Sequence, residues 1–142
     1  MFPLDVIKTL TCALLWSLVT PVLAFEDTAV QVEPLVRSAA SWNGTLMPAY
    51  PAGQPEVTIV KFRIAPGARL PMHKHPLINA GVMLAGELTV VTDKGETLRL
   101  KAGDAFIEVV EQWHYGHNQG TDPVELIVFY AGIQEQPITI KQ

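Results

Sequence analysis

From Glu56 onward the sequence is a succession of short β-branched runs, each stopped by glycine or proline, with no ten-residue helical period between them. EVTIVKFRI (56–64) alternates and ends at Ala65-Pro66-Gly67, and AGVMLAG (80–86) follows the segment PMHKHP. ELTVVT (87–92) and ETLRLK (96–101) flank Asp93-Lys94-Gly95, a compact hairpin connection. AFIEVV (105–110) follows Ala102-Gly103-Asp104, and VELIVFYAG (124–132) follows the turn Gly120-Thr121-Asp122-Pro123. Strands this short and this closely spaced predict an all-β, antiparallel sandwich or barrel. The prolines fall at the ends of the runs, where they remove no ladder hydrogen bond.

Upstream the texture differs. Residues 1–24 join a short polar stretch carrying Lys8 to an apolar run from Leu10 to Leu23, with Ala24 as the small residue at a cleavage position. That is the form of a secretory signal peptide, although Asp5 fits a positive leader badly. The run is shorter than the roughly 20 residues needed to span a bilayer, and Cys12 lies too far inside it for a lipoprotein site. The expectation is therefore export, to the periplasm in a bacterial host, with no membrane attachment after cleavage. A mature chain starting at Phe25 would hold no cysteine, so its fold would rest on the hydrophobic core alone. Residues 25–55 read as an irregular leader, in which Val30–Ala40 fits either a strand or a short helix. Residues 56–142 then form the barrel domain. The net charge of −4, with no basic run, argues against nucleic acid as a partner.

Within PMHKHPLIN, residues 71–79, His73 and His75 share one face of an extended strand, and Asn79 joins them if the strand continues past Pro76. Alone, such a pair describes a polar rim as readily as two metal ligands. The other histidines, His114 and His117, are three apart and face opposite ways on a strand, so only one can join the first pair. The spacing around them is more informative. Gly67 is followed by five residues and then HKH; three residues lead on to Asn79 and six more to Gly86. Later, Gly103 precedes His114, and Asn118 follows four positions on.

This arrangement resembles the two motifs of the cupin superfamily, G(x)5HxH(x)3E(x)6G and G(x)5PxG(x)2H(x)3N, across about residues 56–132. Asn79 stands at the glutamate of the first motif, and Val109 and Glu111 stand at the proline and glycine of the second. The texture is similar to that of small single-domain cupins bearing a signal peptide. The resemblance implies a double-stranded β-helix, or jelly-roll barrel, with a divalent transition metal (Fe, Zn, Mn, Ni or Cu) on its inner axis. His73, His75 and His114 would be carried over as its ligands, and His117 falls outside the motif.

With asparagine in place of glutamate the centre would be formally +2 rather than +1, and Asn79 would be at most a weak fourth ligand. Open positions on such a centre suit an anionic group: a carboxylate, an enolate or a thiolate. Three imidazoles with an open position can activate water or polarise a carbonyl. With iron, the resemblance to three-histidine cupin dioxygenases implies oxygen chemistry instead. The competing expectation is a metal-free barrel whose histidines line a wet pocket.

Glu108, inside the apolar run AFIEVV, is the one candidate catalytic acid or base. It equally fits the solvent face, because the irregular segment before His114 breaks the strand phase. Trp113 and Tyr115 flank His114 and should point away from it. Met72, Phe62, Phe106 and Tyr130 are candidates for either pocket wall or plain core. Trp42 and Tyr50, in the leader, fit a cover over the barrel mouth or a contact with a partner subunit. Asn43-Gly44-Thr45 is a glycosylation sequon only in a host that glycosylates secreted chains, and Asn118 fits a turn cap. Three functions stay open: a secreted metal-dependent cupin acting on a small anionic molecule, a barrel that binds a small molecule or metal without turnover, and a structural protein indifferent to its histidines. A homodimer is implied by the resemblance, since small cupins often pair through edge strands.

Overall fold

The computed structural model describes residues 30–142. The expected signal peptide, residues 1–24, lies outside the described residues. Nine strands and no helix occur among them: β1 Pro55–Ile64, β2 His73–Lys74, β3 Ile78–Ala85, β4 Glu87–Thr92, β5 Thr97–Lys101, β6 Ala105–Ile107, β7 His114–His117, β8 Val124–Ile133 and β9 Ile140–Lys141. They form two antiparallel sheets, ordered β1-β8-β3-β6 and β5-β4-β7-β2-β9. Residues 33–142 belong to one compact unit. The fold is all-β, as the run lengths require.

Alternation along each strand sets the interior. In β8, Val124, Leu126, Val128 and Tyr130 are buried, while Glu125, Ile127 and Phe129 face outward. Leu88, Val90 and Thr92 of β4 do the same from the second sheet. Pairing registers stack these inward positions into rows. Thr58, Tyr130 and Asn79 lie across one row of the first sheet; Val60, Val128 and Gly81 form the next; Phe62, Leu126 and Met83 form the one after. Each fully buried aliphatic or aromatic side chain in these rows contributes about 1.5–3 kcal/mol. The core holds together without any disulfide among the described residues, which contain no cysteine.

The motif glycines mark tight points of the chain. Gly86, between β3 and β4, has φ +74°, and a Cβ there would lie 2.7 Å from the Pro123 carbonyl oxygen. Glu111, at the second motif's glycine, adopts the same left-handed conformation (φ +56°) and is exposed. Asn118 is fully buried; its side-chain amide donates to the carbonyls of Ile64 and Asp122, and its Oδ1 accepts from Gly120 N–H, closing the turn between β7 and β8.

Several elements differ from expectation. Val30–Ala40 forms neither strand nor helix; its only pairing is an isolated bridge, Ala40 to Leu46. The run AFIEVV leaves the sheet after Ile107, so Glu108 lies just past a strand end. Of the two leader aromatics, Trp42 packs on the barrel: its backbone N–H donates to the Ile107 carbonyl, and its ring lies against the core. Tyr50 is exposed.

Candidate metal centre

His73 and His114 are direct cross-strand partners in the β2–β7 pair, and His75 follows β2 by one residue. Opposite pairing and two-residue alternation together put all three rings on one interior spot. Their ring centroids lie 4.4–5.1 Å apart, and one ligand nitrogen from each lies within 4.8 Å of the others. Donors at about 2.1 Å from a shared ion sit some 3–4 Å apart, so the cluster is of the right size.

The backbone decides which nitrogen faces inward. Each Nδ1 contacts a backbone carbonyl: Pro71 for His73 (2.9 Å), Ile138 for His75 (2.7 Å) and Gln112 for His114 (2.9 Å). A carbonyl can only accept, so each Nδ1 carries the proton and each Nε2 keeps its lone pair. Burial pushes the His75 imidazole down to about 4 and lowers His73 too. Neighbouring imidazoles reinforce both shifts. Both rings are therefore neutral near pH 7, as metal ligation requires. The donor set fits a divalent transition metal.

Glu108 faces this cluster. One carboxylate oxygen, Oε1, accepts from the Trp42 indole N–H (2.8 Å) and from Val109 N–H (2.9 Å). The other, Oε2, stands 3.8 Å from His114 Nε2. Ser41 Oγ–H donates to the Glu108 carbonyl, and Glu108 N–H donates to Asn79 O, so the residue is fixed from both sides. Asn79 is buried on the same row and its side-chain amide reaches Leu77 O at 3.4 Å. Tyr130 lies 5.4 Å from the His75 ring, centre to centre, and burial together with the Glu108 charge pushes its phenol up to about 12. It stays protonated at neutral pH and can donate a hydrogen bond. His117 alternates away from His114, opposite Thr89, and does not line the cavity. Trp113 and Tyr115 also lie outside it, against Lys74 and Arg69. Phe62, Phe106 and Tyr130 do line it; Met72 does not.

Residues 60–130, half of the chain, match the family described as "Cupin domain". The chain belongs to the cupin family. The solved structures with the same fold include a protein with a double-stranded β-helix domain from Klebsiella pneumoniae, at 22% identity and TM-score 0.51, covering 77% of this cupin and 97% of that chain. They also include the DMSP lyase DddQ from Ruegeria pomeroyi (21% identity, TM-score 0.51, 64% of this cupin) and an oxalate decarboxylase from Lactobacillus farciminis (23% identity, TM-score 0.50, 63% of this cupin). At these identities the likeness is one of fold. This cupin spans 44% of the lyase chain and 27% of the decarboxylase chain. No protein of curated function matches its sequence.

Two parts of the cupin's site went unread in the sequence. The segment 134–142 supplies the Ile138 carbonyl to His75, and Thr139 and Lys141 to the cavity wall. Its alternating Ile138-Thr139-Ile140-Lys141 is a strand signature that the neighbouring Pro137 and glutamines obscure. The hydrogen bond from Trp42 to Glu108 spans 66 positions and has no local signal at all.

Proposed function

We propose that this cupin holds a divalent transition metal (Fe, Zn, Mn, Ni or Cu) through Nε2 of His73, His75 and His114, and binds a small anionic molecule there. One observation carries the proposal: all three Nδ1 atoms are occupied by backbone carbonyls, which leaves three Nε2 lone pairs in a cluster whose ligand atoms lie within 4.8 Å of one another. Bound there, the metal supplies a Lewis-acidic centre with open positions for an anion. Asn79 offers at most a weak fourth donor and leaves the centre's charge uncompensated. Glu108, one oxygen held and the other directed at the cluster, is placed to accept or deliver a proton beside the bound anion. That placement favours turnover over the alternative, a non-catalytic barrel for a small molecule or metal.

Elemental analysis by mass spectrometry tests the centre. The full chain, purified without chelator or affinity metal, should carry close to one transition metal per chain, and a folded His75→Ala variant should carry less than about a tenth of that. Metal content equal in the two proteins, or nil in both after reconstitution, removes the ligand assignment.

We further propose that the protein travels the secretory route, to the periplasm in a bacterium, and acts there as a homodimer. The leader-like residues 1–24 support export. The outer face of the first sheet supports self-association: Val57, Ile59, Ile127 and Phe129 are exposed there, and Ile59 pairs directly with Phe129. The strand β1, which carries Val57 and Ile59, is an edge of its sheet among the described residues.

A further inference from the structure

The cavity at the centre holds about 440 Å³, large for so small a barrel, whose interior side chains would ordinarily fill it. Gly116 occupies an inward position between His114 and Asn118, at the level of Val90, where the missing Cβ lets Leu70 and Leu88 pack against the backbone.

Polarity is sorted along the length of this cavity. On one sheet Asn79, Tyr130 and Glu108 share a row; on the other, His114, His73 and Lys141 are consecutive cross-strand partners. The two rows meet, since Glu108 reaches to within 3.8 Å of His114 and Tyr130 adjoins His75. The next rows are entirely apolar. Val60, Val128 and Phe106 on one side oppose Val90, Gly116 and Leu70 on the other, followed by Phe62, Leu126 and Leu88. His75 and Thr139 lie on the other side of the polar row, and among the described residues no polar side chain lines the cavity on its Val128 and Leu126 side. A hydroxylated or doubly charged ligand would bury groups against these walls with nothing to pair them. Lys141, the one lysine or arginine on the lining among the described residues, stands in the polar row.

We propose that the ligand is an amphipathic monoanion: a single carboxylate-like head at the three histidines and an apolar body, several carbons long, along the Val128 and Leu126 rows. This rests on the metal centre proposed above. Calorimetric titration of the zinc-loaded full chain with acetate, butanoate, hexanoate, octanoate and 1-hexanol, repeated on the chelator-stripped protein, tests it. Affinity should rise about fourfold per methylene from acetate to hexanoate, the increment expected for a buried CH2. Hexanoate should exceed 1-hexanol at least tenfold, and stripping should abolish that preference. Val60→Phe, which fills the chamber from the edge strand, should weaken octanoate at least tenfold and leave acetate within twofold. The wild-type series stands alone should that variant not fold. Equal affinity for all the acids overturns the apolar body while leaving the metal centre intact. Equal affinity for hexanoate and 1-hexanol in the zinc-loaded protein overturns the charged head, and failure of the chain to hold zinc overturns the metal centre itself. No binding of any probe overturns the proposal outright.

Discussion

The Glu108 carboxylate has an asymmetric environment. Two N–H donors converge on Oε1, one from the Trp42 indole and one from the backbone of Val109, while Oε2 faces His114. A carboxylate anchored by one oxygen is oriented without being neutralised, which suits proton transfer by the other. Glu108→Gln preserves the size of the side chain and removes the base. It should leave metal stoichiometry unchanged and lower kcat by 10²–10⁴-fold, the usual contribution of a positioned acid or base, for any substrate the wild type turns over. An unaltered kcat would make Glu108 a purely structural anchor for the leader. The histidines were legible in the sequence because strand alternation and motif spacing are local. Glu108 was not, since its facing depends on the chain leaving β6 at Ile107 and on a tryptophan 66 positions away.

Among the elements, the joint between β3 and β4 is the least forgiving. Gly86 combines φ +74° with a Cβ position only 2.7 Å from the Pro123 carbonyl oxygen and 3.0 Å from Val124 Cα. Gly86→Ala incurs the left-handed penalty of about 1–2 kcal/mol and forces β8 away from the joint. A loss of at least 2 kcal/mol, read as a lowered denaturation midpoint at unchanged m-value, is expected. A loss below 0.5 kcal/mol would mean that the turn relaxes freely. The long strands β1, β3, β4, β5 and β8 were readable from alternation and punctuation. The two-residue strand β9 was not, because a pair of residues has no period; it exists only through its pairing with β2, whose extended course through HKH was the basis for putting His73 and His75 on one face. The leader misled for a related reason. Its apolar residues Val30, Val32, Leu35 and Val36 suggest an element, yet all four are exposed.

For the whole molecule, the homodimer proposed above would depend on how charge and apolar surface are sorted over the outer sheet face. Lys61 and Arg63 are both held by Glu125 on the outer sheet face, which leaves the exposed Val57, Ile59 and Phe129 beside an ion-paired border. A twofold-related copy would cover this patch and the β1 edge together. Native mass spectrometry of the protein recovered from its host reads assembly and processing at once: a dimer of chains starting at Phe25 is expected, and a monomer for the doubly substituted Ile59→Glu, Phe129→Glu protein. A monomeric wild type would leave this face to another role, and a chain starting at Met1 would refute export. The barrel architecture was legible in the sequence at this scale, because it follows from many short strands. The sorted cavity was not, because it requires the registers between strands distant in sequence.

The support of His75 by Ile138, and of the cavity wall by Thr139 and Lys141, has a consequence in time. A chain is made from its N-terminus, and domains fold in that order. The first pair of histidines emerges more than sixty residues before the carbonyl that fixes the second of them. The histidine cluster is therefore incomplete until β9 has been added beside β2, and an ion held at the proposed centre would be taken up after that step rather than by the first two histidines alone.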